Sequence, residues 1–325
     1  MDRLKVSAPP HISTPNDTKN VMLDVIIALL PAMFAAVYFF GYRAALIVII
    51  SVGSSIAFEH LWSVIFKKPT TIWDLSCVVS GMLLAFNMPV TVPLWLPIIG
   101  SFFMIVVVKM CFGGIGQNFL NPALAARAFL MASWPSFMTN FCSVGIKLNL
   151  AGQFLDTNDI DALTYSTPLA VLKSGNEIST VFRRYDMFIG NIGGCIGETS
   201  ALALIIGGAY LVLKRVINWE IPLTYIAVVS VISYIAGYDP TYYVLAGGLM
   251  LGAIFMATDY TTTPMTGVGR IVFGAGCGIL TFMIRNWGGY PEGVSYAILI
   301  MNVITPLIDK LIKPIKYGKQ VGSNA

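Results

Sequence analysis

Residues able to do chemistry are sparse in this 325-residue chain and fall in a few stretches. One is Asp161-Ala162-Leu163-Thr164-Tyr165-Ser166-Thr167-Pro168, inside the only long polar segment, roughly residues 133 to 186. A threonine hydroxyl is a weak nucleophile unless it is activated, so a phosphoester on Thr167 has to be made by a separate enzyme. Such an enzyme needs an extended, accessible substrate, and Pro168 biases Thr167 away from helix. Asp161 and Thr164, upstream of Thr167, are the side chains that such an enzyme could read. The same residue types also make ordinary turns in a solvated loop. Spacing alone leaves both readings open.

Two further stretches break apolar runs. Gly113-Gly114-Ile115-Gly116-Gln117-Asn118-Phe119-Leu120-Asn121-Pro122-Ala123 permits close backbone approach, and Pro122 suits the first position of a helix. With no following lysine and no preceding strand it is not a phosphate loop, and it reads either as a ligand contact or as a connection between helices. Ala257-Thr258-Asp259-Tyr260-Thr261-Thr262-Thr263-Pro264, followed by Gly267 and Arg270, packs hydroxyls between apolar segments, where each needs a partner. Helix capping accounts for part of it, and a flavin, an ion or a partner protein for the rest. Asp24, Glu59, Arg127 and Glu198 lie in or near apolar runs, where charges mark ion pathways or pair with one another. Asp24, Glu59 and Glu198 are the ion-pathway candidates, and Arg127 paired with a carboxylate is the structural alternative. Cys77, Cys111, Cys142, Cys195 and Cys277 show no CxxC spacing and read as inert thiols. His11 and His60 suggest no metal site.

The elements that must hold these groups are membrane helices. Hydrophobic residues make up 56% and charged residues 11%, against about 25% charged in a soluble domain. Ten segments approach the length that crosses a bilayer: 21–40, 44–66, 75–88, 94–112, 122–134, 187–213, 221–236, 242–258, 271–284 and 294–308. Leu83–Pro93 and Leu251–Pro264 each close the third span of a half with a polar, proline-ended turn. Five spans per half invert the second copy, and inverted repeats place their site at the repeat interface. The expected organisation is a tail (1–20), a five-span repeat (21–134), a polar loop (135–186), a second five-span repeat (187–308) and a basic tail (309–325). With the N-terminus inside, thirteen of the twenty basic residues fall on or near the cytoplasmic side. That bias puts both termini inside and residues 135–186 outside. The net charge of +4 is too small and too dispersed to suggest nucleic acid.

Several of these stretches occur together in one known family. The runs GGIGQNFLNPA, DALTYSTP, GGCIGETSALAL, FMATDYTTTPMTGVGR and RNWGGYPEGVSYAILIMN, in that order, span essentially the whole chain. The chain thereby resembles the RnfD family, the D subunits of the Rnf complex, a ferredoxin:NAD⁺ oxidoreductase that couples electron transfer to Na⁺ or H⁺ movement. It is similar also to the B subunit of the Na⁺-translocating NADH:quinone reductase. The resemblance implies an all-α integral membrane protein of urea-transporter-like fold in the cell inner (plasma) membrane. It implies FMN joined through its phosphate to Thr167, with Asp161 and Thr164 read by the flavin transferase, and it leaves room for a second, noncovalent flavin. Where the family usually has small residues before the modified threonine, this chain has Tyr165 and Ser166. The outer placement of the loop agrees with a transferase that acts outside the cytoplasm. The implied partners are the other Rnf membrane and flavin subunits and, through them, ferredoxin and NAD⁺; the chain would be part of a translocase and not catalytic alone. A channel or carrier for a small polar solute is the competing expectation, drawn from the inverted halves. Solute flux by the isolated chain would favour it.

Overall fold

A computed structural model describes residues 17–145, 167–173, 182–289 and 292–313. Every regular element among them is a helix, with one isolated bridge between Pro89 and Cys195. Helix α1 (Thr18–Phe40) begins at Asp17, whose carboxylate accepts from the Thr18 amide. Gly41, at φ 74°, turns the chain into α2 (Tyr42–Ile65). These two helices, together with α12 (Gly267–Trp287) and α13 (Val294–Leu311), are long and apolar enough to cross a membrane. Five shorter apolar helical segments accompany them: α3 (Ser76–Phe86), α4 (Trp95–Phe102, running on as a π-helix to Met110), α5 (Pro122–Ser133), α8 (Ala201–Leu213) and α9 (Glu220–Ile235).

Small residues set the packing. On α1 the buried Ala28, Ala32 and Ala36 recur every four residues and form one stripe. That stripe meets α8 at Gly207, where an added Cβ would lie 2.1 Å from the Ala28 carbonyl oxygen. With lipid outside and no water to expel, such close backbone approach holds membrane helices together. Helix α2 buries a polar stripe instead: Ser51, Ser55, Glu59 and Ser63. Ser51 Oγ donates to the Gly81 carbonyl of α3 at 2.8 Å, so α2 and α3 are joined by hydrogen bonds as well as by contact.

Two of the apolar runs are not single helices. Residues 187–213 divide into α7 (Arg184–Ile189), an irregular stretch from Gly190 to Ser200, and α8. Gly190 has φ 113°, and its glycine-rich continuation leaves the helical path. Residues 242–258 divide likewise into α10 (Pro240–Leu245) and α11 (Leu249–Leu251), which continues as a π-helix to Met256. Gly247 and Gly248, both with positive φ, form that break. A further short helix, α6 (Pro168–Lys173), follows Thr167.

Buried arginines hold the broken stretches. Arg43, at the start of α2, donates to the carbonyls of Val90 (2.7 Å) and Val92 (2.6 Å) in the turn after α3. Arg285, near the end of α12, donates to the carbonyls of Tyr243, Ala246 and Gly247 at the break before α11. Each satisfies backbone oxygens that leave a helix inside a water-poor bundle.

Candidate functional site

At one end of α8 the structure assembles a charged cluster around Arg127. Its helix, α5, starts at Asn121, whose side chain accepts from the amides of Ala123 (3.1 Å) and Leu124 (3.3 Å), with Pro122 in the first turn. The irregular stretch 190–200 lies against the end of α3: the amides of Ile196 and Gly197 donate to the carbonyls of Met88 and Phe86. A Cβ on Gly197 would fall 2.3 Å from the Phe86 side chain, so only glycine lets the stretch run this close. That approach carries Cys195 and Glu198 to Arg127.

The guanidinium is almost fully shared out. Nη1 donates to Glu198 Oε1 at 2.8 Å and to Asn87 Oδ1 at 2.5 Å. Nη2 donates to Glu292 Oε2 and reaches Cys195 Sγ at 3.7 Å. The side chains of Arg127 and Glu198 are 5% and 6% exposed, and that of Glu292 is 15% exposed. One guanidinium thus serves two carboxylates in a place of low dielectric, where charge-assisted bonds are strong and an unpaired charge is costly. Cys195, Glu198 and Glu292 also offer three ligand atoms within 4.8 Å of one another. A metal ion there would compete with a fixed cation already bonded to all three, so the cluster is an arginine site.

Beside the cluster is a cavity of about 20 Å³, lined by Thr167, Glu198, Glu292, Gly247 and neighbours. It has room for about one water. Thr167 is half-buried, and its Oγ1 accepts from the Ala170 amide at 3.3 Å, capping α6. The structure therefore brings Thr167 and Glu198, 31 positions apart in the chain, to one small space. Asp161 and Thr164 lie outside the described residues.

The other end of α8 is built differently. Glu59 is fully buried; its Oε2 accepts from Lys109 Nζ at 2.7 Å and its Oε1 from the Thr71 hydroxyl at 2.5 Å. Lys109 also donates to Ser76 Oγ at 2.6 Å. Lys109 and Ser76 open onto a cavity of about 460 Å³, which Asn118, Asn121, Asp259 and Thr261 line from the other side. The asparagines of the glycine-rich run meet the threonine-rich run here: Asn118 Nδ2 donates to Thr261 Oγ1 (3.0 Å), and Asn121 Nδ2 to the Met256 carbonyl (3.1 Å). Burial pushes the Asp259 carboxyl above its ordinary value, opposed by hydrogen bonds from Thr261. The ends of the two look-alike turns also touch, since Asn87 Nδ2 lies 3.6 Å from Met256 Sδ. Glu59 belongs to this end and not to the Thr167 end. Asp24 belongs to neither cluster: it is half-buried, accepts from the Tyr210 hydroxyl at 2.7 Å and lies 3.6 Å from Lys214.

Several of these residues escape a reading of the sequence. Lys109 is counted there only as a topology charge, although a lysine inside the apolar run 94–112 already signals a buried partner. Glu292, between Pro291 and Gly293 just before α13, carries no local signal of its partner 165 residues earlier. Arg127 does pair with carboxylates, as the structural alternative expects, and with two of them. Cys77, Cys142, Cys195 and Cys277 are buried, in keeping with a reading of all five as buried, inert thiols, and Cys111 departs from it by being exposed.

Comparison with known proteins agrees with the motif order. Over 317 residues the chain is 49% identical to the D subunit of the Na⁺-translocating ferredoxin:NAD⁺ oxidoreductase complex of Acetobacterium woodii, covering 97% of this chain and 95% of that one. It is 40% identical over 327 residues to the D subunit of the proton-translocating ferredoxin:NAD⁺ oxidoreductase complex of Clostridium ljungdahlii, covering 96% of each. The D subunit of the ion-translocating oxidoreductase complex of Stutzerimonas stutzeri is 35% identical over 329 residues, with 92% of each chain covered. The family model described as NQR2, RnfD, RnfE matches residues 5–318, so with this motif order and these relatives the chain belongs to the NQR2, RnfD, RnfE family.

Proposed function

We propose that this chain is the D-type membrane subunit of a ferredoxin:NAD⁺ oxidoreductase complex that couples electron transfer to movement of Na⁺ or H⁺. It works with other membrane and flavin subunits and reaches ferredoxin and NAD⁺ through them. What carries the reading is near end-to-end similarity to the D subunits of ion-translocating oxidoreductase complexes in three organisms. In this reading the ten spans form two inverted five-helix repeats (21–134 and 187–308) in the inner membrane. Both tails are cytoplasmic and residues 135–186 lie outside.

Thr167 carries FMN as a phosphoester, with Asp161 and Thr164 completing the motif that the transferase reads. Support comes from a half-buried hydroxyl at the edge of the cluster and from the family motif. The cavity beside Thr167, at about 20 Å³, excludes a flavin ring, so the ring lies against lipid, a neighbouring protein of the complex or the polar segment. The wide cavity, at about 460 Å³, falls within the usual range for a bound small molecule and suits the second, noncovalent flavin. There Asn118 and Asn121 supply paired donors and acceptors, and Lys109 supplies a cationic donor. When bound, flavin accepts and releases electrons one or two at a time. The chain's own part is to hold the tether, keep water out and place fixed charges nearby. Of the three ion-pathway candidates, Glu198 is the best placed to sense flavin charge, because it lines the Thr167 cavity.

The test is in-gel flavin fluorescence of the denatured protein, with intact mass. One added FMN should appear and vanish in Thr167→Ala. A variant band as bright as the native one would reject the attachment site. Solute flux in liposomes by the chain alone would support the carrier reading, which the wide cavity favours.

A further inference from the structure

We infer that α6 is a latch on the attachment site: the transferase modifies Thr167 only while residues 167–173 are lifted off the bundle, and Leu169, seated on Gly247, sets the threonine back in place. The inference rests on the flavin attachment proposed above. It goes beyond it by naming the conformation that the transferase takes and the residues that close it.

The docked segment does not present an extended acceptor. Thr167 stands at the N-cap of α6, with Pro168 in the first helical position. Its Oγ1, the atom that must reach phosphorus, accepts from the Ala170 amide at 3.3 Å, and its carbonyl accepts from the Val171 amide at 3.1 Å. Pro168 and Leu169, the next two residues, are buried. The cavity beside Thr167 is about 20 Å³, room for about one water and not for a nucleotide. A modifying enzyme needs the acceptor and its neighbours on both sides free, and here the C-terminal side is packed away.

That packing is local and separable. Leu169 and Val171 enter a small apolar cluster with Met187, Ile192, Tyr242 and Ala246, apart from the main core. Gly247, at φ 65°, leaves the notch that Leu169 fills; a Cβ there would fall inside the leucine side chain. At the far end of α6 the exposed Lys173 donates to the carbonyls of Gly288 and Gly289, just past α12. Few groups hold this six-residue helix, so lifting it costs far less than unfolding the bundle. An enzyme that acts on the open form follows the population of that form, provided the segment opens and closes faster than it is modified. In the transfer, Thr167 Oγ1 bonds to the phosphorus on the flavin side of flavin adenine dinucleotide, the phosphoanhydride bond breaks and AMP leaves. The hydroxyl proton passes to a base of the transferase or to water.

The experiment labels the full-length chain, produced without the transferase and purified in detergent, with transferase and flavin adenine dinucleotide. In-gel fluorescence gives the rate and intact mass the end point, while hydrogen exchange of the 167–173 amides reports docking with no flavin present. Leu169→Ala should be labelled about tenfold faster or more, the scale expected when a buried leucine loses its packing, and should still end at one FMN per chain. Exchange should speed up in parallel. Lys173→Met, which leaves the apolar cluster intact, should be labelled about two- to threefold faster, and Lys173→Arg should match the native chain. Labelling of Leu169→Ala or Lys173→Met no faster than native, despite faster exchange, overturns the inference. So does exchange in the native segment as fast as in an unstructured peptide. Label that persists in Thr167→Ala sinks the attachment and this inference with it, whereas label confined to Thr167 at one rate in every variant sinks only the latch.

Discussion

The two ends of α8 differ in the ratio of charge to space. At the Lys109 end one cation meets one carboxylate beside a cavity of about 460 Å³. At the Arg127 end one guanidinium meets two carboxylates beside about 20 Å³. Helix α5 links them: Asn121 at its start lines the wide cavity, and Arg127, about 9 Å further along at about 1.5 Å per residue, holds the cluster. A balanced pair beside a roomy, asparagine-lined cavity is suited to holding a molecule. A crowded cluster with no room for a ligand is suited to holding its own charges in place. The family similarity does not distinguish the two ends; their geometry does.

That contrast can be broken most forcefully at Arg127. Removing it in Arg127→Ala leaves the buried Glu198 and the partly buried Glu292 without their shared donor, a loss of the class that costs about 3–5 kcal/mol. The detergent-solubilised protein should melt well below the native one or fail to assemble. Arg127→Lys should recover only part, because an ammonium lacks the planar fork that reaches both glutamates. If Arg127→Ala melted like the native chain, the cluster would be an incidental contact.

At the other end the equivalent test is a cycle of substitutions. Lys109→Met alone should destabilise strongly, since Glu59 is fully buried and would lose its cation. The double variant Lys109→Met with Glu59→Gln should be less damaged than the single, because no lone charge stays behind. Equal melting of single and double variants would show that the pair is not coupled.

Smaller effects sharpen the picture. Gly248→Ala should lower stability by about 1–3 kcal/mol, from a positive φ and a new Cβ 2.4 Å from Glu198 Oε1. Thermal melts would read this, and a neutral result would mean that Glu198 is free to move. The exposed pair of Arg184 and Asp239 should matter least, since such pairs contribute little. Asp239 loses some charge stability to burial, but hydrogen bonds from Thr241 and the charge of Arg184 hold its carboxyl below the ordinary 3.8. Its contribution is therefore present above that value and lost as pH falls through the lower folded one. Asp239→Asn should leave melting at pH 7 nearly unchanged, and a large loss would show that the pair anchors α10.

Much of the molecule is legible without coordinates. Membrane residence, the long helices α1, α2, α12 and α13, and the turn within Leu83–Pro93 that closes the third span follow from apolar run length and from proline, because a bilayer fixes how long a helix must be and Pro limits where it continues. The family follows from motif order. The glycine runs at 190–197 and 247–248 are visible as letters, but that they interrupt apolar runs depends on close approaches to Phe86 and Glu198. Those approaches are made by elements far apart in the chain.

The sequence by itself determined that this is a membrane helix bundle of the NQR2, RnfD, RnfE family, and that Thr167, Glu59, Asp24, Arg127 and Glu198 were residues worth watching. Only the tertiary structure decided which of them meet. It sent Glu59 to Lys109, left Asp24 with Tyr210 and Lys214, and joined Glu198 with Glu292 and Arg127 beside Thr167. The physical reason is that a buried charge must find a partner, and the partner's identity is set by where helix breaks bring the backbone close, which local spacing does not encode.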